Sequence, residues 1–214
     1  MKLFIEIAKK LYKTLSVITF RLCNPRIRLV CLSGCYIRNV KISNCVGNTL
    51  KLGNNVSMKR CQFLYFGKGN QVEIHSSAYL RDVTFWLEGN GNHIIIGKGT
   101  TTHGNLQLAA CEGTTIIIGD DCMFSHDIYV RTSDSHPIVN THNNRINPAQ
   151  NITIGNHVWL GMQCLILKGS NIPDGCVIGA RSIVTSKRLN SNSLIVGSPA
   201  MSIKEGIEWE RKFQ

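Results

Sequence analysis

The sequence predicts an all-β parallel solenoid of short flat coils, and three spacings predict it. Aliphatic residues stand six apart at Ile154, Leu160, Ile166, Ile172, Ile178 and Val184. A small residue stands four places after each of the first five, at Val158, Cys164, Ser170, Cys176 and Ser182. Upstream, Gly47, Gly69, Gly91 and Gly113 are 22 apart, as are Leu52, Ile74, Ile96 and Ile118. The six-step is illegible between about Ser135 and Gln150, and Ile118 to Ile154 is 36 residues. A helix repeats its face every ~3.6 residues and a strand every ~2, so a strict six fits neither alone. It fits a hexapeptide solenoid, each six forming one side of a triangular coil of ~18 residues.

Within each hexad the aliphatic must point to the narrow axis shared by stacked coils, and the small residue must fit near the corner. Glycine at 155, 161 and 179 frees the backbone where the chain turns. The blocks "GNTLKL", "GNQVEI", "GNHIII" and "GTTIII" carry the 22-residue period. They read as one coil plus a four-residue bulge at a fixed corner. The stretch at 135–150 reads as a long excursion from one coil. A β-sandwich is the alternative for a turn-rich chain, but it has no reason to hold register at 22 and then at six.

Composition agrees with one solenoid domain of 214 residues, since each coil contacts only its neighbours. Aromatics are 7% of the chain, as a thin aliphatic core requires. The nine cysteines are an odd set without a CxxC pair. Cys122, Cys164 and Cys176 fall at the small corner position, so they read as packed thiols rather than metal ligands or bridges. That usage points to a reducing, cytoplasmic setting and to no bound metal.

The termini differ from the coils. Residues 1–22 place Phe4, Ile7, Ala8, Leu11, Leu15, Ile18 and Leu22 on one helical stripe, with Lys2, Lys9, Lys10 and Lys13 among them. The stretch is too polar for a membrane span and lacks a signal-peptide pattern. An amphipathic helix capping the open end of the solenoid is preferred, and peripheral contact with an anionic membrane surface is the alternative. "SIKEGIEWERKFQ" reads as a short C-terminal helix. The expected organisation is a helix at 1–22, the solenoid at 23–200 and a helix at 201–214.

Of seven histidines, His136 stands where the rhythm stops, in "TSDSHPI". Catalytic groups concentrate on loops held by a rigid scaffold. Asp134 lies two residues earlier, so both side chains share a side if the stretch is extended. A carboxylate beside an imidazole can fix its tautomer and stabilise the imidazolium, as a general base requires. Taken alone, the motif is weak, and an exposed loop histidine is the preferred reading.

The hexads together with "SDSHP", "IGNHVWLG", "IGARSIVT" and "VGSPA" resemble the left-handed β-helix, hexapeptide-repeat acyltransferases. The similarity is densest over roughly 116–212, and there it is greatest to bacterial capsular polysialic acid O-acetyltransferases. The resemblance implies a left-handed parallel β-helix, acetyl-CoA as acyl donor and a homotrimer with active sites in clefts between solenoids. It implies His136 as general base, with His126 as a second candidate, and Trp159 beside donor and acceptor. It further implies Gly161, Gly179 and Ala180 along the cofactor channel, Lys187 and Arg188 near the CoA phosphates, and Pro199 in the loop over the adenine end. Arg181 is a further candidate on the same grounds. No covalent enzyme intermediate is needed, so the cysteines need no catalytic role.

Twenty-four basic residues against thirteen acidic give +11, a surface that attracts polyanions. No helix-turn-helix, zinc-finger or RNP pattern supports nucleic acid. An acidic surface polysaccharide or its lipid-linked precursor fits both charge and resemblance. The expected function is O-acetylation of a capsular or O-antigen sugar. N-acetylation of an amino-sugar nucleotide or small drug is the alternative enzyme, and a noncatalytic scaffold of a polysaccharide assembly complex is the alternative class.

Overall fold

The structure, a computed structural model, describes residues 2–185 and 189–212. After helix α1 (Lys2–Cys23) the chain winds through about seven coils whose strands stack as three parallel columns. The first column runs β1 (Arg28–Cys31), β4 (Thr49–Leu52), β7 (Gln71–Ile74), β10 (His93–Ile96), β12 (Thr115–Ile118), β14 (Ile152–Ile154) and β17 (Asn171–Ile172). The second runs β2 (Tyr36–Arg38), β5 (Ser57–Lys59), β8 (Tyr79–Arg81), the first parts of β11 (Thr101–Cys111) and β13 (Met123–Arg131), β15 (Trp159–Leu160), β18 (Val177–Ile178) and β20 (Ser193–Gly197). The third runs β3 (Lys41–Ser43), β6 (Gln62–Phe66), β9 (Val83–Glu88), the second parts of β11 and β13, β16 (Leu165–Ile166) and β19 (Ile183–Val184).

Register follows the periods read from the sequence. Leu52, Ile74, Ile96, Ile118, Ile154 and Ile172 are successive partners in the first column. Ile118 pairs directly with Ile154, so the 36-residue interval is a single coil carrying an excursion. All six aliphatics of the hexad run are buried, as are Val158, Cys164, Ser170, Cys176 and Ser182 at the corners. The corner thiols of Cys164 and Cys176 meet carbonyls of Gly179 and Asn190, both at 3.2 Å, and burial pushes the Cys122 thiol up to about 11. All nine cysteines are free.

The four extra residues of the N-terminal coils lengthen the third side and its following corner. That longer side admits aromatics: Phe63 and Phe85 stack with centroids 4.4 Å apart. At the corner Asn48, Asn70 and Asn92 are buried in a ladder. Asn48 Oδ1 accepts from the Asn70 amide, and Asn70 Oδ1 from the Asn92 amide, both at 2.9 Å. Their side-chain amides donate to backbone carbonyls, including Gly67 and Gly89. A bulged corner exposes backbone groups that cannot reach a sheet ladder, and the asparagines satisfy them.

Both ends are covered. One face of α1 packs on the first coil, with Phe20 buried, Tyr12 against Tyr36 at 5.7 Å and Ser16 Oγ accepting from the Ile37 amide. At the other end the expected C-terminal helix is corrected. Residues Ala200–Glu205 form β21, antiparallel to β20, and among the described residues 206–212 none is helical. The open edge of the last coil needs a strand partner, and that requirement outweighs local helix preference.

Candidate active site

The excursion begins where β13 ends. Thr132 and Ser133 are still buried, and the chain leaves the solenoid at Asp134 on the corner between the third and first columns. It folds back on itself: the Ile146 amide donates to the Ile138 carbonyl at 2.8 Å, and Val139 bridges Arg145. Asn147, almost fully buried, ties the base together. Its Oδ1 accepts from the Ile138 amide at 2.6 Å, and its Nδ2 donates to the His136 carbonyl at 2.9 Å and to Asp134 Oδ2 at 2.8 Å. Arg145 forks onto Glu112 with contacts of 2.6 and 2.9 Å, and Ser133 Oγ donates to the same carboxylate. The Arg145 and Ser133 hydrogen bonds hold the Glu112 carboxyl down at about 2.

His136 is exposed at this base, with its backbone fixed by Asn147. The expected pairing of Asp134 with the His136 imidazole is not formed. Ser135 between them has φ +68, so the stretch is not the extended one on which side-sharing depends. Asp134 instead accepts from Lys168 Nζ and Asn147, Lys168 being the main reason its carboxyl lies below the usual range. His126 does meet a carboxylate, Asp127 Oδ2 at 2.9 Å from Nδ1, but on the corner between the second and third columns.

Trp159 stands outward on the second column, opposite Met123, with 38% of its surface exposed. A single chain therefore does not bring His136 and Trp159 together, because the width of the first column separates them. Gly161 and Gly179 follow on that face, and the next coil crowds both. A Cβ on Gly161 would lie 2.7 Å from the Ala180 amide nitrogen, and one on Gly179 would lie 2.6 Å from Val196 Cγ1. Ala180 lies at the corner beyond Gly179. Arg181 Nε donates to Gln163 Oε1 of the preceding coil at 2.7 Å. Pro199 is exposed in the turn from β20 to β21. Lys187 and Arg188 lie outside the described residues.

Sequence reasoning missed the clamp around Trp159. Trp209, from the C-terminal segment, lies 6.0 Å from Trp159 between ring centroids and stacks on His157. Asp121 accepts from His157 Nδ1 at 2.6 Å and from Arg211 Nε at 2.7 Å. Burial raises the Asp121 carboxyl, but the His157 and Arg211 hydrogen bonds outweigh it and the net direction is down. No group of three or more His, Cys, Asp or Glu among the described residues is placed to hold a metal ion. No helix among them is long and apolar enough to cross a membrane.

A parallel β-solenoid of about seven coils behind one N-terminal helix is the fold of the left-handed β-helix acetyltransferases. No family model matches the chain. It is 32% identical over 188 residues to a polysialic acid O-acetyltransferase of Neisseria meningitidis, covering 78% of this chain and 87% of that protein. A polysialic acid O-acetyltransferase of Escherichia coli O1:K1 / APEC is 35% identical over 142 residues, 65% of this chain but 45% of that longer protein. The crystal structure of the polySia-specific acetyltransferase NeuO superposes with a TM-score of 0.75 at 33% identity, covering 86% of this chain and 78% of that one. The chain belongs to the polysialic acid O-acetyltransferase family of left-handed β-helix enzymes.

Proposed function

We propose that this chain moves an acetyl group from acetyl-CoA to a hydroxyl of a bacterial capsular or O-antigen polysaccharide, or its precursor, with His136 as general base. Membership of the polysialic acid O-acetyltransferase family carries this reading. His136 takes the proton of the acceptor hydroxyl, whose oxygen attacks the thioester carbonyl, and returns it to the departing thiolate. The bond from Asn147 to the His136 carbonyl fixes the backbone of this residue and leaves one ring nitrogen to accept the proton and return it.

The face bearing Trp159, Gly161, Gly179 and Ala180 suits the donor because the glycines leave backbone open to an extended pantetheine arm. Lys187 and Arg188 would hold CoA phosphates by charge-assisted contacts, with Pro199 near the adenine end. Because His136 and Trp159 occupy different corners of one prism, a homotrimer would complete each site from two copies. The outer side of α1, where exposed Lys9 and Lys10 flank exposed Leu11, Leu15 and Leu22, suits peripheral contact with an anionic membrane at the cytoplasmic face.

The test is His136→Ala against wild type, with acetyl-CoA and purified acidic glycan, read by mass shift of one acetyl group. Loss of transfer with retained acetyl-CoA binding is expected. Undiminished transfer would remove the base assignment. Wild-type turnover on amino sugars only would select N-acetylation, and no turnover on any acceptor would select the scaffold.

A further inference from the structure

The third column carries a notch that the base and donor assignments leave unused. Two outward ladders cross it in register: Thr84, Gln107 and Tyr129 in one, Trp86, Ala109 and Arg131 in the other. In the second ladder only a methyl group stands between an indole and a guanidinium. Ala109 takes an outward position in the strand alternation and is 2% exposed between these two larger neighbours. The missing bulk leaves a space of about 250 Å³, bounded by Trp86, Glu88, Gln107, Ala109, Arg131 and Ser135. Small-molecule sites begin at about 300 Å³, so the notch is sized for one small cyclic unit of a longer ligand.

Each wall is already held in place. Trp86 Nε1 donates to Glu88 Oε2 at 3.0 Å, which orients the ring and leaves Glu88 Oε1 as a free acceptor. Arg131 Nε donates to the Ser133 carbonyl at 2.8 Å, Nη2 donates to Ser135 Oγ, and the guanidinium lies 5.6 Å from the Tyr129 ring centroid. Among the described residues no carboxylate is in salt-bridge contact with Arg131, whose charge is felt only at longer range by Asp134. Arg60, Arg145 and Arg211, by contrast, pair with Asp82, Glu112 and Asp121. A fixed guanidinium without an anionic partner, beside a fixed aromatic face, is prepared for a ligand carrying both an anion and an apolar face.

We propose that this notch is an acceptor subsite for one carboxylated sugar unit. Its C–H face packs on Trp86, its carboxylate meets the open edge of Arg131, and its hydroxyls reach Gln107 and Glu88 Oε1. Ser135 forms the upper wall and His136 is the next residue, so the subsite holds the glycan beside the excursion. The inference rests on the acetyltransferase reading of the same region and adds the residues that select the acceptor. An acidic chain would thus be recognised by a specific fork, beyond the general attraction of a basic surface.

The experiment measures both acetyl transfer and direct binding, using a short oligosaccharide of a carboxylated sugar and its carboxyl-reduced counterpart. Arg131→Ala should raise KM for the acidic oligosaccharide about tenfold or more, as loss of a charge-assisted contact implies, and should largely erase preference over the reduced one. Arg131→Lys keeps charge without the fork and should recover only part of the affinity. Ala109→Phe fills the notch without removing a polar group, and should weaken binding of both oligosaccharides. Melting temperatures near wild type certify that the solenoid is intact. If Arg131→Ala and Ala109→Phe both leave KM and binding within twofold of wild type while transfer persists, the subsite is overturned and the acetyltransferase reading stands. If wild type binds the acidic oligosaccharide in an Arg131-dependent way yet never acetylates it, the subsite stands and that reading falls.

Discussion

His157 and Trp209 lie face to face, ring centroids 4.0 Å apart and 10° from parallel, and they also share two hydrogen bonds. His157 Nε2 meets the Trp209 carbonyl at 2.9 Å, and Trp209 Nε1 donates to the His157 carbonyl at 2.8 Å. Residues 52 apart in sequence thus clamp the chain end across a corner, and Trp159 is held against the result. Trp209→Ala should cost about 3 kcal/mol, the low end for a buried aromatic, and expose the segment after Glu205 to protease. Thermal melting and limited proteolysis would check this, and an unchanged cleavage pattern would show that the clamp does not secure the end.

Asn147 is expected to act as a positioning residue for His136. Asn147→Ala removes the bonds to Ile138, His136 and Asp134 together. Turnover should fall at least about tenfold with a smaller change in KM for the acceptor, because the loop base loses its shape while the strand-borne walls Trp86, Gln107 and Arg131 keep theirs. A purely structural role would instead lower melting temperature without this split between kcat and KM.

The Glu112–Arg145 pair gives a pH prediction. The folded carboxyl titrates near 2, below its ordinary value of 4.5. A depressed carboxylate contributes stability that is complete above its unfolded pKa and is lost as pH falls through the folded one. The melting-temperature difference between wild type and Glu112→Gln should therefore be constant above about pH 5 and shrink toward zero near pH 2. The pair is partly exposed, so added salt should reduce the difference as well. A difference that grows on acidification would contradict the assignment.

Replacing Lys187 and Arg188 together by alanine should weaken acetyl-CoA binding about tenfold with little effect on acceptor binding. Calorimetry with unchanged CoA affinity would reject their placement at the phosphates.

Asn92→Leu should destabilise the chain by about 2–3 kcal/mol. The asparagine is fully buried, and its Oδ1 accepts from both the Gly113 and Thr114 amides. Leucine would bury those donors unpaired. Denaturation by urea reads the loss, and a cost below about 0.5 kcal/mol, the level of an ordinary surface change, would mean that other groups satisfy them.

The coils were legible because a thin axis imposes one aliphatic at a fixed interval, and Ile154 to Val184 keep it without exception. The excursion was legible only as silence in that rhythm, which placed His136 correctly at its root. Its internal wiring was not, because Asn147, Glu112 and Lys168 act through tertiary proximity that no local pattern encodes. Asp134 misled for a local reason: the positive φ of Ser135 cancels the side-sharing expected of residues two apart. The C-terminal helix misled for a global one, since "SIKEG" meets an open sheet edge. Trp86, Ala109 and Arg131 carry no motif, and only the stacking of three coils sets them side by side.

The uniform stacking also makes the solenoid a ruler. α1 sits on the coil of β1, and the loop with His136 leaves the coil of β12, four strand steps further along the first column. At about 4.8 Å per step, the histidine stands roughly 19 Å above the helix-bearing end. That height is quantised: removing one 22-residue repeat would lower it by about 5 Å, while side-chain changes within a coil would leave it untouched. If the helix-bearing end rests on a membrane, coil number sets how far from the bilayer a glycan is modified.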